Sequence, residues 1–168
     1  MELNENSNIA RQEIANRLFF RLYQSANMLH KTGTKAVEKA GLTTQQWAIL
    51  GALSRTKVER GMTVGELCRY LKTSRQNLSG LIERLKRNNN IEVLTDAKDR
   101  RAKRVIMTTH GRKVWEKDAL PKIHNYYESA LKDFSTGDLA HVLHYLTKLL
   151  DNMEKIDQIA DPEADFNH

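Results

Sequence analysis

Apolar residues recur at helical spacing from about Ile9 to Ala40: Ile14, Leu18, Leu22, Ala26, Leu29, Gly33, Val37 and Ala40. Steps of three and four keep them on one side of a 3.6-residue turn, which predicts one long amphipathic helix. Gly41 supplies its stop. Thr43 or Thr44 is placed to cap a second helix with Trp47, Leu50 and Leu53 inward. The polar run from Ser54 to Gly61 reads as a loop. Thr63 opens a short helix, with Glu66 three residues on to complete a capping box. Its apolar face is Val64, Leu67, Cys68 and Leu71. Lys72 and Thr73 turn the chain into a helix from about Ser74, with Leu78, Leu81, Ile82 and Leu85 inward, which fades at Asn88, Asn89 and Asn90. Ile91 to Leu94 and Arg104 to Thr108 then read as two strands around a charged turn, Thr95 to Lys103.

Two helices close the pattern. One runs from about Thr109 to Phe134, where Pro121 kinks or divides it. The other follows Ser135 or Thr136 and reaches about Ile159. Its Leu139, Val142, Leu146, Leu149, Met153, Ile156 and Ala160 step by three and four, as in a coiled-coil seam. The predicted fold is mainly α with a small β-hairpin wing. It divides into an N-terminal helix (1–40), a winged helix-turn-helix (41–108), C-terminal helices (109–160) and a polar tail (161–168). The first and last helices carry more apolar surface than a small central unit can cover. That predicts a homodimer through the N- and C-terminal helices, related by a two-fold axis.

Composition supports this picture. Two prolines and eight glycines in 168 residues leave few turns for a many-stranded sheet. A single cysteine excludes an internal disulfide and a cysteine-built zinc finger. No apolar run reaches membrane-spanning length, and Met1 to Asn8 is polar with no signal-peptide core, so a cytoplasmic protein without a membrane partner is expected. The net charge of +6 is concentrated. Arg55 to Arg104 holds 14 Lys and Arg against 6 Asp and Glu, whereas the other 118 residues hold 13 and 15. One basic zone between mildly acidic flanks suits an anionic partner, most often nucleic acid.

The basic zone contains the candidate chemistry. Thr63 to Leu85 fits a helix-turn-helix whose second helix enters the major groove of double-stranded DNA. Ser74, Arg75, Gln76, Asn77, Ser79 and Gly80 face outward at its start. Arg forks onto guanine, and Gln or Asn onto adenine. Thr63 and Ser74, with a helix N-terminus, suit phosphate, and Arg84 lies further along the same helix. Gly80 allows close approach of a backbone or a neighbouring helix. The hairpin adds a cationic tip, Asp96-Ala97-Lys98-Asp99-Arg100-Arg101-Ala102-Lys103-Arg104. Arg100 or Arg101 suits the minor groove, where the potential is most negative, with Lys103 beside them. Asp99 opposes phosphate, so its expected role is to hold one arginine extended by an ion pair.

These segments resemble the multiple-antibiotic-resistance regulator (MarR) family of winged-helix repressors, from about Asn16 to Ile156. The most specific portion is Asp96-Ala97-Lys98-Asp99-Arg100-Arg101, then Val105-Ile106-Met107-Thr108 and Gly111. Ala97 replaces the family's proline, and Met107 its leucine. The resemblance implies a DNA-binding homodimer on a pseudo-palindromic operator, with Asp99 as the wing aspartate and Arg101 as the minor-groove arginine. It also implies a sensor for a small aromatic carboxylate or phenol. Asn16, Arg17, Phe20, Gln24, Met28, Trp47 and Trp115 are its expected lining. The expected function is a repressor released by such a ligand, with no cofactor and no catalysis.

Competing readings are weaker. Cys68 faces inward and suits a structural thiol better than an oxidant sensor. His141 and His144, with Asp138, sit opposite the apolar row of the last helix, which favours a solvated face over a metal site. No nucleophile motif or phosphate-binding glycine loop suggests an enzyme. No aromatic-rich sheet suggests an RNA module. A helical adaptor would have no need of a basic wing.

Overall fold

The computed structural model describes residues 2–55, 60–96 and 101–160; for residues 2–7, 159 and 160 only the helical backbone is described. The chain forms two compact units, Met1–Tyr127 and Glu128–His168.

In the first unit, helix α1 spans Glu2–Val37 and tightens into a 3-10 turn, Glu38–Ala40. Gly41 ends it in the left-handed conformation, at φ 71°, where a glycine avoids the Cβ strain of other residues. Helix α2 spans Thr44–Leu53 and starts on a reciprocal capping box between Thr43 and Gln46. The α1–α2 joint is close because Gly33 has no Cβ: one there would lie 2.9 Å from Thr44 Oγ1 and 3.2 Å from the Trp47 ring. Thr44 fastens the joint by donating twice, its N–H to Thr34 Oγ1 at 3.1 Å and its hydroxyl to the His30 carbonyl at 3.1 Å.

Strand β1 is Met62–Thr63, helix α3 is Val64–Leu71 and helix α4 is Arg75–Arg87. Thr63 and Glu66 form the expected capping box on α3, and Ser74 caps α4 by accepting from Asn77 N–H. Lys72, at φ 52°, turns the chain between them. Strands β2 (Ile91–Thr95) and β3 (Lys103–Met107) are antiparallel, with Ile91 opposite Met107 and Thr95 opposite Lys103. The sheet has three strands rather than the two expected, in the order β1-β3-β2. β1 is too short to show alternation. It lies on β3 because Gly61, at φ 74°, brings the backbone to the Val105 carbonyl, where a Cβ would stand 2.2 Å away.

Helix α5 (Thr109–Lys113) begins at the cap Thr108. Gly111 is required here, since its Cβ would meet the Asn90 carbonyl oxygen at 1.9 Å. A π-helical turn, Val114–Ala119, precedes helix α6, Leu120–Ala130. The Leu120 N–H reaches back five residues to the Trp115 carbonyl. A proline ring clashes with the carbonyl four residues earlier, and widening the turn just before Pro121 relieves that conflict. The expected kink is therefore a π turn. Ile49, Leu50, Leu67, Leu78, Leu85, Ile91, Val105 and Ile123 are fully buried and make one core with Trp115 and Ala119. Burial of each large aliphatic side chain contributes about 1.5–3 kcal/mol.

The second unit contains helix α7, Thr136–Ala160. Ser135 and Asp138 start it: the Ser135 N–H donates to Asp138 Oδ2 at 2.9 Å, and the Asp138 N–H donates to Ser135 Oγ at 3.2 Å.

Candidate nucleic-acid interface and aromatic cluster

The first turns of α4 present Arg75, Gln76, Asn77, Ser79 and Gly80 to solvent, while Leu78 and Ile82 are buried behind them. The polar set thus sits on a helix fixed by its apolar side. Two of its hydroxyls have local work. Ser74 Oγ accepts the Asn77 N–H at 3.2 Å, and Ser79 Oγ donates to the Arg75 carbonyl at 2.7 Å. Thr63 Oγ1 likewise accepts the Glu66 N–H at 3.1 Å, so Thr63 is a helix cap. A Cβ at Gly80 would meet nothing within 4 Å, so no neighbouring helix explains this glycine, and its open face is solvent. Arg84, Lys86 and Arg87 add positive charge to the last turn of α4.

Between α4 and the sheet lies a groove of about 390 Å³, lined by Ser79, Glu83, Lys86 and Lys103 over Val64, Ile82 and Val93. Lys103 Nζ donates to Thr95 Oγ1 across the hairpin at 3.2 Å. Arg101 is exposed. Asp99 and Arg100 lie outside the described residues. An ion pair that the sequence reading did not nominate stands at the turn end of the hairpin: Arg104 Nε donates to Asp96 Oδ2 at 2.5 Å.

The seven expected ligand-lining residues do not form one site within the chain. Asn16, Arg17, Phe20 and Gln24 line a shallow groove of about 290 Å³ on α1, with Arg21. Trp47 packs beside Gly33 instead. Sixteen helical residues separate Gly33 from Arg17, or about 24 Å along the axis, which is beyond the reach of one small aromatic acid. Met28 is on α1 one turn before Thr32, and Thr32 Oγ1 donates to its carbonyl at 2.6 Å. Trp115 is 7 % exposed and serves the core, where its ring edge lies 3.2 Å from the position of a Cβ on Gly51.

Around Trp47 the structure assembles residues that the sequence reading missed. Its ring centroid is 6.1 Å from Tyr126, nearly perpendicular, and 5.7 Å from Tyr127. The Tyr126 hydroxyl pairs with Thr32 Oγ1 at 2.9 Å. Burial pushes the Tyr127 phenol above its ordinary range, and a hydrogen bond from Trp47 works against that shift. The signal available in the sequence was the Tyr126-Tyr127 pair, one turn after Ile123 on the same helix.

Residues 40–102 match the model of the MarR family. The Transcriptional activatory protein BadR of Rhodopseudomonas palustris is 60 % identical over 160 residues, covering 95 % of this chain and 91 % of that protein. The chain belongs to the MarR family. Among solved structures, the M. tuberculosis regulator MOSR in complex with DNA is 25 % identical, with a TM-score of 0.70 over 82 % of this chain and 96 % of that one. CouR from Rhodococcus jostii RHA1, bound to p-coumaroyl-CoA, shares the fold at 18 % identity and a TM-score of 0.70, covering 80 % and 92 %. As a MarR-family protein the chain is a DNA-binding regulator of transcription and not an enzyme.

The remaining polar candidates of this MarR-family chain have structural surroundings. Cys68 is half-buried, and burial raises its thiol pKa despite the opposing fields of Arg75 and Arg69. That leaves little thiolate for oxidant chemistry. The Asp138 carboxyl is held below its ordinary range by hydrogen bonds from the Ser135 hydroxyl and backbone N–H. Among the described residues no group of three or more His, Cys, Asp and Glu could hold a metal ion. No described helix is long and apolar enough to cross a membrane.

Proposed function

We propose that this regulator binds a pseudo-palindromic operator as a homodimer and responds to a small aromatic carboxylate or phenol. Each subunit places the start of α4 in a major groove and Arg101 in the flanking minor groove. Half-sites are then about one helical turn, roughly 10 base pairs, apart. The exposed Arg75, Gln76 and Asn77 on the core-anchored helix α4 are the observation that carries this reading. The dimer is supported by the apolar rows of α1 and α7, whose large side chains stand 37 to 68 % exposed in the single chain. Exposed apolar surface on this scale marks a protein contact.

The effector class is supported by the Trp47, Tyr126 and Tyr127 cluster, which offers aromatic faces beside two phenol hydroxyls and Thr32. Trp47 stands on α2, one turn after the Thr44 joint to α1. A ligand that prefers one α1–α2 arrangement therefore biases the helix on which the DNA-reading unit is built. It shifts DNA affinity only by its own difference in affinity for the two arrangements. The name of the 60 % identical relative favours activation over the repression expected from the sequence.

A promoter–reporter assay with and without the gene decides the sign: lower output without the regulator supports activation. For the effector, aromatic acids and phenols are titrated while Trp fluorescence and operator anisotropy are read together. The expected hit changes both, and Trp47→Phe with Tyr127→Phe weakens it. A compound that shifts anisotropy equally in that double variant binds elsewhere.

A further inference from the structure

We infer that Arg104 is the positioning residue of the wing: one guanidinium ties the turn end of the hairpin to the start of the helix-turn-helix and so sets where Arg101 falls relative to α4. The inference rests on the reading of Arg101 as a groove contact. Arg104 is on β3, the central strand, opposite Leu94 of β2 and Thr63 of β1. Its side chain reaches three separate segments. Nε donates to Asp96 Oδ2 at 2.5 Å, at the outgoing end of the hairpin. Nη1 donates to the Gly61 carbonyl at 2.9 Å, in the approach to β1. The same nitrogen lies 3.8 Å from Glu66 Oε2, and that oxygen accepts the Thr63 N–H at 2.6 Å in the cap of α3.

Each acceptor is itself held. Gly61 can bring its carbonyl here only because it has no side chain to strike β3. The Asp96 N–H donates to the Ala102 carbonyl at 2.9 Å, which closes the hairpin one residue after Arg101. Asp96 is 6 % exposed, a buried acid in a strongly basic unit. Charge alone argues against an acid near phosphates, so its value lies in its contact with Arg104. An arginine fork can serve these divergent acceptors at once, whereas a lysine ammonium is a single point of charge.

Asp96→Asn separates this account from simple electrostatics. The variant is isosteric and removes a negative charge, so charge alone tightens DNA binding. Loss of positioning weakens it instead, by about tenfold if the coupling is of ordinary size. The loss should be absent when Asp96→Asn is made in an Arg101→Ala background, because the wing then has no contact to misplace. Arg104→Gln should behave alike, and Arg104→Lys should not restore binding. Amide hydrogen exchange of the free protein is the second readout: protection at Asp96 and Arg104 falls, while that of α4 holds. Asp96→Asn that binds DNA as tightly as the parent or better, with unchanged exchange in the hairpin, overturns the inference. If Arg104→Gln fails to fold, Asp96→Asn still decides. If the parent shows no sequence-specific binding, the functional reading fails, while the exchange data still report whether this contact holds the wing.

Discussion

The winged unit and the end helices treat the same kind of apolar row in opposite ways. In α4, Leu78, Ile82 and Leu85 are buried by elements of their own chain. In α7, Leu139, Val142, Leu146, Met153 and Ile156 belong to a row of comparable spacing and remain 37 to 65 % exposed, while Leu149 of the same row is half-buried. The rows differ less in composition than in what the chain supplies to cover them. The DNA-reading unit brings its own partners in α2, α3 and the sheet. The end helices leave their rows exposed, and the proposed two-fold copy is what would cover them.

The largest effect should come from breaking the uncovered row. Leu146→Asp is expected to give a monomer by sedimentation equilibrium and to cut operator affinity at least about 100-fold, through loss of the second half-site. A variant that remains dimeric removes this part of α7 from the interface. Truncation in the covered row is next. Leu85→Ala should cost about 2–5 kcal/mol in urea unfolding, with a loss independent of protein concentration. Leu143→Ala, at a residue 68 % exposed in the single chain, should instead destabilise in a way that depends on concentration. Equal behaviour of the two variants would erase the distinction.

A smaller effect separates fold from recognition within α4. Ser74→Ala should lose about 1 kcal/mol with its cap. Ser74→Asp keeps a capping acceptor and sets an acid at the groove-facing end. Thermal stability should therefore hold while DNA affinity falls; undiminished affinity would place DNA away from this terminus. The smallest effect concerns Cys68. Its raised thiol pKa means a lower thiolate fraction at any pH below that value. Iodoacetamide should react more slowly than with a free cysteine at pH 7 and faster as pH rises. Peroxide should leave operator binding unchanged.

Much of this was legible in the sequence because it is encoded locally. Gly41 and the Thr63 capping box fix helix ends through contacts only three or four residues apart, and the structure uses both as read. Of the two candidates for the start of α2 it is Thr43 that caps, and Ser74, read as the start of α4 and as a DNA contact, caps that helix. The helix-turn-helix and hairpin follow from apolar spacing. What escaped depends on distant segments. β1 exists because Gly61 meets β3, more than 40 residues on. The Arg104 contact joins three such segments. The aromatic cluster needs α1, α2 and α6 together, and of the expected ligand set only Trp47 belongs to it. The π turn answers Pro121, but a proline alone does not say which way a helix will yield.

The central claim is tested most directly by titrating the protein into labelled DNA from its own upstream promoter and measuring anisotropy and stoichiometry. Scrambled competitor and a salt series complete the design. The account predicts two chains per duplex, strong preference over scrambled DNA, and affinity that falls steeply with salt. Binding no tighter than to scrambled DNA at every salt concentration, or saturation at one chain per duplex, would contradict it.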